Sequence, residues 1–274
     1  MSTPEYLYHY TNIDTLALIL KNKTIRFNSL DQMDDPQEKD AADLKTIGNL
    51  CYISSWTDDR TESIPMWKMY SSLETGVRIR LKANPFKLHS NPISDLAKAF
   101  NAIPTPDSTG EPPKSYIPIA EMVRNNFYSI QATKGDFLHK VEYTSDKSNL
   151  YPTIVSSDDE KVHFDLGKLG KYKNTHWKFQ NEWRYIFTIL PLNLTQSPDK
   201  SLESLTQIVA ALLQGKSKQP FTHYDMTIDD FAFSQMEITL SPRITAGSKI
   251  IVESLIEKYN PSATVIDSSL IGLI

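Results

Sequence analysis

The clearest alternation of hydrophobic and polar positions runs from Glu182 to Leu190, and it predicts a β-strand. Glu182 and Arg184 begin one face of this strand. The opposite face would carry four large apolar side chains, Trp183, Tyr185, Phe187 and Ile189. With so apolar an opposite face, Glu182 must be exposed to solvent, be paired with Arg26 or Arg184, or line a cavity. A carboxylate fixed on a strand beside a guanidinium is a candidate for orienting a ligand or for catalysis.

A second polar cluster lies near the start of the chain, on another alternating segment. Residues 6–11 predict a strand in which His9 and Thr11 share one face, opposite three tyrosines. A helix follows, and residues 24–28 predict a second strand that carries Arg26 between two apolar residues. We expect these side chains and the head of the later strand to meet in one cleft.

The other periodic segments alternate irregularly between strands and helices. Two of them carry further candidate residues: the strand 50–56 with Ser54 and Ser55, and the helix 63–71 with Trp67 and Tyr70. Additional strands are predicted at 76–81, 137–143, 235–240 and 263–266, and additional helices at 119–131, 202–213 and 246–258. Because few βαβ units of regular length occur, the pattern favours an α+β fold over a doubly wound sheet.

The organisation along the chain predicts a single domain over residues 1–274 with two insertions. Residues 84–118 hold seven prolines, which predicts a long loop or a partly helical insertion. Residues 191–219 are polar apart from the predicted helix, and they form the second insertion. The length of 274 residues suits one large domain.

Composition narrows the classes of function. The hydrophobic fraction of 40% is that of an ordinary globular protein, and the net charge of −4 argues against a non-specific nucleic-acid binder. The sequence shows no membrane-spanning run and no signal peptide, and it has one cysteine, Cys51, so we expect a cytoplasmic protein without a membrane partner. A local basic and aromatic stretch at 168–179 is most simply a solvated loop.

Conventional catalytic signatures are missing from the sequence. With 9 glycines and no Gly-rich phosphate loop, a P-loop or a dinucleotide-binding fingerprint is excluded. No metal-ligand spacing occurs among the six histidines, so no metal is expected. Taken singly, His9 is most simply a core histidine, Ser54 and Ser55 small strand residues, and Trp67 and Tyr70 core aromatics.

Several short motifs, in their order along the chain, resemble a widespread bacterial family that is catalogued as domain of unknown function 2971. The resemblance rests on residues 7–11, 20–29, 34–36, 53–56, 66–70, 76–81, 177–184 and 238–242. It touches most of the chain outside the two insertions. It implies membership of that family and, by itself, no activity.

A second resemblance is to the ADP-ribosyltransferase superfamily, including DNA-targeting toxins, and to RNA 2'-phosphotransferases. It rests on Tyr-His-Tyr-Thr at residues 8–11, followed by a helix and an Arg-bearing strand. This resemblance implies a split antiparallel sheet with peripheral helices and NAD as a substrate. Residues 54–56, Ser-Ser-Trp, depart from the Ser-Thr-Ser of that superfamily, whereas Gln180 stands two residues before Glu182, as in arginine-modifying members.

The resemblance to that superfamily implies a role for most of the candidate residues, which occur in the matching order along the chain. His9 would hold a ribose of NAD, and Glu182 would lie near the scissile bond. The nicotinamide pocket would be shaped by Ser54 or Ser55 together with Trp67 or Tyr70. Arg26 would pair with the pyrophosphate, and Thr11 and Arg184 complete the expected cofactor-binding set.

The implied chemistry is NAD-dependent ADP-ribosyl transfer or NAD hydrolysis, with Glu182 stabilising positive charge that develops on the ribose. The acceptor would be a protein or a nucleic acid, and the role that of a toxin or a phage-defence effector. Two alternatives remain open at this point. One is a non-catalytic module that binds a nucleotide or a partner, and the other is a different phosphate-handling reaction in the same cleft.

Overall fold

The computed structural model describes residues 3–92, 112–129, 137–158, 162–196, 198–216 and 218–274. Most of the proline-rich insertion predicted at 84–118 lies outside these residues. The described part contains a ten-stranded sheet and three two-stranded sheets. The strands are β1 (Tyr6–Asn12), β2 (Thr24–Ser29), β3 (Cys51–Thr57), β4 (Gly76–Lys82), β5 (His89–Ser90), β6 (Lys114–Ser115), β7 (Tyr128–Ser129), β8 (Leu138–Lys140), β9 (Glu142–Thr144), β10 (Val155–Ser157), β11 (Val162–Phe164), β12 (Tyr172–Asn174), β13 (Glu182–Leu190), β14 (His223–Thr227), β15 (Glu237–Leu240) and β16 (Thr264–Ile266).

The large sheet is mixed, with strand order β14-β2-β3-β1-β4-β15-β16 and with β13 pairing β3, β7 and β8 off this path. Its pairs are antiparallel except for β15 and β16, which are parallel. A parallel pair needs a crossover, and the helix Ala246–Tyr259 supplies it between these two strands. The predicted sheet was wholly antiparallel, and that prediction is wrong at this edge.

In the middle of the sheet, the strands next to one edge of β3 leave a gap between them. Strand β13 pairs with β3 from Glu182 opposite Thr57 to Thr188 opposite Cys51, so it occupies one edge of β3 completely. The other edge is shared, because β2 pairs only with the start of β3 and β1 only with its end. Residues 54–56 of β3 pair with neither strand, and a gap separates β1 from β2 there.

Helices lie around the sheet and cover its apolar faces. The α-helices are α1 (Ile13–Asn22), α2 (Ile64–Tyr70), α3 (Ile119–Arg124), α4 (Lys147–Leu150), α5 (Pro198–Leu213), α6 (Asp230–Ser234) and α7 (Ala246–Tyr259). Short 3-10 helices occur at Leu30–Gln32, Ile47–Leu50, Leu166–Lys168 and Thr175–Gln180. Asn12 caps α1 by accepting a hydrogen bond from the backbone of Thr15, which ends β1 and begins the helix.

Strand β13 is buried on both faces, which explains its position at the centre of the fold. Trp183, Tyr185 and Phe187 pack into the larger apolar core, as the alternation predicted. Ile186, on the opposite face, packs into a second apolar cluster that also contains Ile53 of β3. Glu182 and Arg184 share this second face, and they are therefore buried as well.

Three predicted elements have different bounds in the structure. The strand predicted at 137–143 is two strands, because β8 pairs antiparallel with β13 whereas β9 pairs parallel with β12. The helix predicted at 119–131 stops at Arg124, and Asn126 adopts a left-handed conformation with φ of 54° that does not continue a helix. Residues 130–131 lie outside the described part. Helix α5 begins at Pro198, earlier than the predicted 202, since proline suits a first turn.

In the part of the chain that the structure describes, the helices are too short or too polar to cross a bilayer.

Candidate functional site

A cavity of about 270 Å³ lies at the gap in the sheet, bounded by β1, β2, β3, α2 and the start of β13. Seven of the nine residues predicted from the sequence line it. They are His9, Arg26, Ser54, Ser55, Tyr70, Glu182 and Arg184. The polar cluster at the start of the chain and the cluster around Glu182 therefore meet in one cavity, as expected from the sequence.

Two predicted residues do not line the cavity. Thr11 is buried in β1, and its backbone oxygen accepts a hydrogen bond from Ser71. Trp67 is fully buried, packs edge-on against Tyr10 at 5.0 Å, and donates its indole N–H to Glu62 at 3.0 Å. The sequence-based assignment of both residues to the ligand pocket is thus not supported by their positions, and both serve the packing around the site.

A buried network of two carboxylates and two cations lies at one wall of the cavity, which three of its four members line. The guanidinium of Arg184, which has no exposed surface, donates to both carboxylate oxygens of Glu182 at 2.7 and 3.1 Å. It also donates to the carboxylate of Glu38 and to the backbone oxygen of Gly170. Lys173 lies 3.3 Å from Glu182 and 3.4 Å from Glu38. Each charge thus faces opposite charges, and the formal charges of the network cancel.

The network keeps Glu182 ionised. Burial alone would raise the pKa of the Glu182 carboxyl, but the charges of Arg184 and Lys173 outweigh burial and lower it to about 2. The hydroxyl of Ser55 also contributes to lowering the pKa of this carboxyl. Burial would lower the pKa of Arg184, and the two carboxylates raise it above its ordinary value. Glu182 is therefore a fixed negative charge at neutral pH and is too weak a base to accept a proton there.

Two members of this network were missed by the sequence-based analysis. Lys173 lies in the basic stretch that was interpreted as a solvated loop, but it is only 4% exposed and stacks over Trp177 at 4.7 Å. The solvated-loop interpretation is wrong for this residue. Glu38 comes from the segment after β2, 146 positions before Arg184. Nothing in its local pattern marks it, whereas the alternation of Lys173 with aromatic residues is a signal that could have been used.

His9 enters the cavity from the other side of the sheet. Tyr8 pairs with Thr57, and Thr57 pairs with Glu182, so these three side chains share a face and His9 points to the opposite one. Its Nδ1 lies 2.9 Å from the backbone oxygen of Ser55, within the gap between β1 and β2. Because a carbonyl oxygen only accepts, Nδ1 carries the proton.

The protonation state of His9 follows from its surroundings. Burial lowers the pKa of its imidazole, and the hydrogen bond to Ser55 only partly offsets this. The ring is therefore neutral at pH 7, with Nε2 as an unprotonated acceptor. It packs on Trp56 with ring centroids 5.1 Å apart, and the Trp56 indole donates to Ser54 at 3.0 Å. His9 thus has both the core contacts of a structural histidine and access to the cavity.

Arg26 lies on the rim of the cavity, away from Glu182. Its guanidinium makes two hydrogen bonds to Asp225 of β14, at 2.9 and 3.0 Å, and its side chain is 44% exposed. Of the two partners predicted for Glu182, the structure therefore shows Arg184 and not Arg26. An exposed pair of this kind contributes little stability, so Arg26 can exchange its partner at low cost.

A second polar group in the cavity surrounds the hydroxyl of Tyr70. This hydroxyl accepts a hydrogen bond from the side-chain amide of Gln180, and Asp34 lines the cavity with it. Burial raises the pKa of Tyr70, and the neighbouring carboxylate of Asp34 adds to the increase. Tyr70 is therefore neutral and available as a hydrogen-bonding side chain, as a residue of a ligand pocket would be.

Among the residues that the structure describes, no group of three or more His, Cys, Asp or Glu side chains could hold a metal ion. Cys51 is buried, and burial raises the pKa of its thiol to about 12, so it is protonated and unreactive. The chemistry of the cavity therefore rests on carboxylates, cations, hydroxyls and aromatic rings.

Comparison with known proteins gives a family match over part of the chain and no activity. A family model described as "Protein of unknown function (DUF2971)" matches residues 66–185, which confirms the family resemblance seen in the motifs. The matched segment runs from α2 into β13 and contains Tyr70, Gln180 and Glu182. Searches of curated proteins and of solved structures found no match to the chain.

Proposed function

We propose that the cavity binds NAD and that the protein cleaves the bond between nicotinamide and ribose, transferring ADP-ribose to an acceptor or to water. The observation that carries this proposal is the position of Glu182. Its carboxylate is ionised, buried and part of the cavity wall, next to a gap in the sheet that is lined by Tyr8, Tyr70 and Trp56. The proposal also draws on the resemblance to ADP-ribosyltransferases, which implies a ligand site beside an opening in the sheet.

The reaction makes specific demands on the site. When the glycosidic bond breaks, its electron pair leaves with nicotinamide and positive charge builds on the ribose. A fixed carboxylate stabilises that charge most effectively where water is excluded, and Glu182 is only 4% exposed. The acceptor or water then bonds to the ribose and loses a proton. With a pKa of about 2, Glu182 stabilises charge in this scheme and does not take the proton.

The size of the cavity indicates which part of NAD it would hold. Small-molecule pockets commonly enclose about 300–1,000 Å³, and this cavity of about 270 Å³ lies just below that range. It suits the nicotinamide and its ribose, with the rest of the dinucleotide extending to the rim. Arg26 lies on that rim and is half exposed, where it could pair with a pyrophosphate.

A second candidate function is ligand binding without catalysis, and one observation favours it. Both oxygens of Glu182 already accept hydrogen bonds from Arg184, and one of them also faces Lys173. A carboxylate neutralised in this way stabilises less positive charge on a bound sugar than a free one does. The cavity would then sense a nucleotide rather than cleave it.

The experiment that tests the proposal measures release of labelled nicotinamide from NAD, with and without cell lysate. Glu182→Gln should lower the rate by about 10²–10³-fold, the usual effect of removing one such stabilising group. Glu38→Gln is the matched control, because it removes the same charge from the same network at a side chain outside the cavity wall. We expect it to reduce stability similarly and nicotinamide release much less.

Three outcomes separate the possibilities. Equal loss of release in Glu182→Gln and Glu38→Gln, in proportion to loss of folded protein, would mean that the network is structural only. Absence of release by the wild type, together with an NAD-dependent rise in melting temperature, would favour the binding module. Transfer of label from the ADP-ribose part of NAD to a lysate protein or nucleic acid would identify a macromolecular acceptor, as a toxin or phage-defence effector requires.

A further inference from the structure

Gln180 presents an acceptor oxygen that has no partner. The residue is 4% exposed and lines the cavity next to Tyr70. Its Nε2 donates to the Tyr70 hydroxyl, but no donor to Oε1 exists among the residues that the structure describes. A buried carbonyl oxygen without a donor is rare in folded proteins and disfavours the empty state of a site.

The orientation of the Gln180 amide is determined by its neighbours. The carboxylate of Asp34 acts on the Tyr70 hydroxyl and raises its pKa, and because a carboxylate can only accept, the hydroxyl directs its proton towards Asp34. The oxygen of that hydroxyl must then accept from the amide nitrogen of Gln180. Rotating the amide by 180° would place two acceptors against each other. The chain of donors therefore leaves Oε1 as the free end of the amide.

We propose that Gln180 Oε1 is a binding subsite for an N–H donor of the ligand, either a primary carboxamide or the exocyclic amine of a nucleobase. The subsite lies beside Tyr70, and Met66, one helical turn from Tyr70 on α2, also lines the cavity. A cavity with an aromatic ring, a thioether and a single buried acceptor suits a flat, largely apolar group with one N–H edge. The inference rests on the proposed function in one respect, since NAD carries both kinds of donor.

Three dinucleotides distinguish the two sources of the donor. NAD has both groups, 3-acetylpyridine adenine dinucleotide lacks the carboxamide N–H, and nicotinamide hypoxanthine dinucleotide lacks the amine of adenine. We expect the wild type to bind one of the two analogues about 10- to 100-fold more weakly than NAD, the usual effect of leaving a buried acceptor unpaired. Weaker binding of the acetylpyridine analogue assigns the subsite to nicotinamide, and weaker binding of the hypoxanthine analogue assigns it to adenine.

Two substitutions test whether the preference for NAD over an analogue depends on Gln180. Gln180→Met keeps the length of the side chain and removes its oxygen, so it should bind NAD and the discriminated analogue with similar, weakened affinity. Tyr70→Phe keeps Gln180 but removes the hydroxyl that orients it, and it should reduce the preference partially. Dissociation constants are measured by calorimetry, and the melting temperature without ligand verifies that each variant is folded.

Several results would overturn the proposal. An equal loss of affinity for all three dinucleotides in Gln180→Met would assign Oε1 to a ribose hydroxyl. A wild type that binds NAD without preferring it over either analogue would refute the subsite and leave the proposed function standing. If no dinucleotide binds, NAD is not the substrate. The subsite is then tested with two pairs of smaller ligands, by comparing the affinity for nicotinamide with that for 3-acetylpyridine, and the affinity for AMP with that for IMP. A Gln180-dependent preference in either pair supports the subsite, and its absence in both refutes it.

Discussion

Replacing Arg184 with methionine would leave two buried carboxylates, Glu182 and Glu38, facing the single positive charge of Lys173. Methionine fills most of the volume of the arginine stem, so the change removes mainly charge and hydrogen bonds. Arg184 makes hydrogen bonds to both carboxylates and to the Gly170 oxygen. Its loss therefore disrupts the whole network rather than one pair.

The expected cost is large. Removing one partner of a buried ion pair typically lowers the free energy of unfolding by about 3–5 kcal/mol. The pKa of Glu182 gives an independent estimate, since its fall from 4.5 to about 2 corresponds to roughly 3 kcal/mol of stabilisation. That stabilisation is fully present above pH 4.5, where the unfolded carboxyl is ionised, and is lost as the pH falls towards 2.

The pH dependence separates charge from packing. In Arg184→Met, burial of Glu182 is no longer outweighed, so its pKa should rise above the unfolded value. The variant would then gain stability as the pH falls and the carboxyl becomes protonated, while the wild type loses some. The difference in unfolding free energy, measured by urea denaturation, should be largest at pH 7 and shrink by more than about 1.4 kcal/mol by pH 4, the equivalent of one pKa unit.

Ile186→Ala provides the matched control for this experiment. Ile186 lies on the same face of β13 as Arg184 and is 5% exposed, but it carries no charge. Its truncation should cost about 2–5 kcal/mol, with no change in that cost between pH 7 and pH 4. A loss in Arg184→Met that is equally independent of pH would refute the argument, because it would show that packing and not charge accounts for the effect.

Two further predictions concern contacts at some distance from β13. Glu62→Gln should increase hydrogen exchange at residues 268–270, because Glu62 accepts hydrogen bonds from the Ser268 hydroxyl and from the Ser269 backbone; unchanged exchange there would show that this segment is held by other contacts. Asp225→Asn should lower the free energy of unfolding in urea by less than about 1 kcal/mol, because its pair with Arg26 is partly exposed; a loss above about 2 kcal/mol would show that the pair is more deeply buried than the structure indicates.

Strand periodicity alone predicts the central features of the site. The alternation along β13 places Glu182 and Arg184 on one face, and the structure shows them there, hydrogen-bonded to each other. The alternation along β1 places His9 opposite the tyrosines, which its register also shows. Alternation is reliable in these strands because the two faces of each strand pack against different environments. A shift of the strand by one residue would move every side chain to the wrong face.

Periodicity does not predict which side chains or strands pair when they are far apart in the sequence. Glu38 and Lys173 complete the network from segments that were not predicted to contribute to it, and Asp225 holds Arg26 from a strand, β14, that was not predicted. The division of 137–143 into two strands was equally hidden. The segment contains no glycine or proline to mark a boundary, and the change of partner at Val141, which donates to the Glu182 backbone, separates β8 from β9.

The balance of charge in the network leads to a prediction about Lys173. Lys173 is a point charge 3.3 Å from Glu182, whereas Arg184 makes two shorter hydrogen bonds to the same carboxylate, so Lys173 is the partner more easily displaced. It also lines the cavity, where it would repel the cationic pyridinium of a bound nicotinamide riboside. Lys173→Met should therefore strengthen binding of that cation.

The size of this effect follows from Coulomb's law. At an effective dielectric constant of about 20, two unit charges about 8 Å apart repel by about 2 kcal/mol, or a factor of about 30 in affinity. Neutral nicotinamide is the matched ligand, because it has the same ring and carboxamide without the charge. Calorimetric titration of both ligands should show that Lys173→Met improves the affinity for nicotinamide riboside and changes that for nicotinamide little. Weaker binding of the cation by the folded variant would mean that Glu182 is held for structure by Lys173 and Arg184 together, and that the cavity does not bind a positive charge.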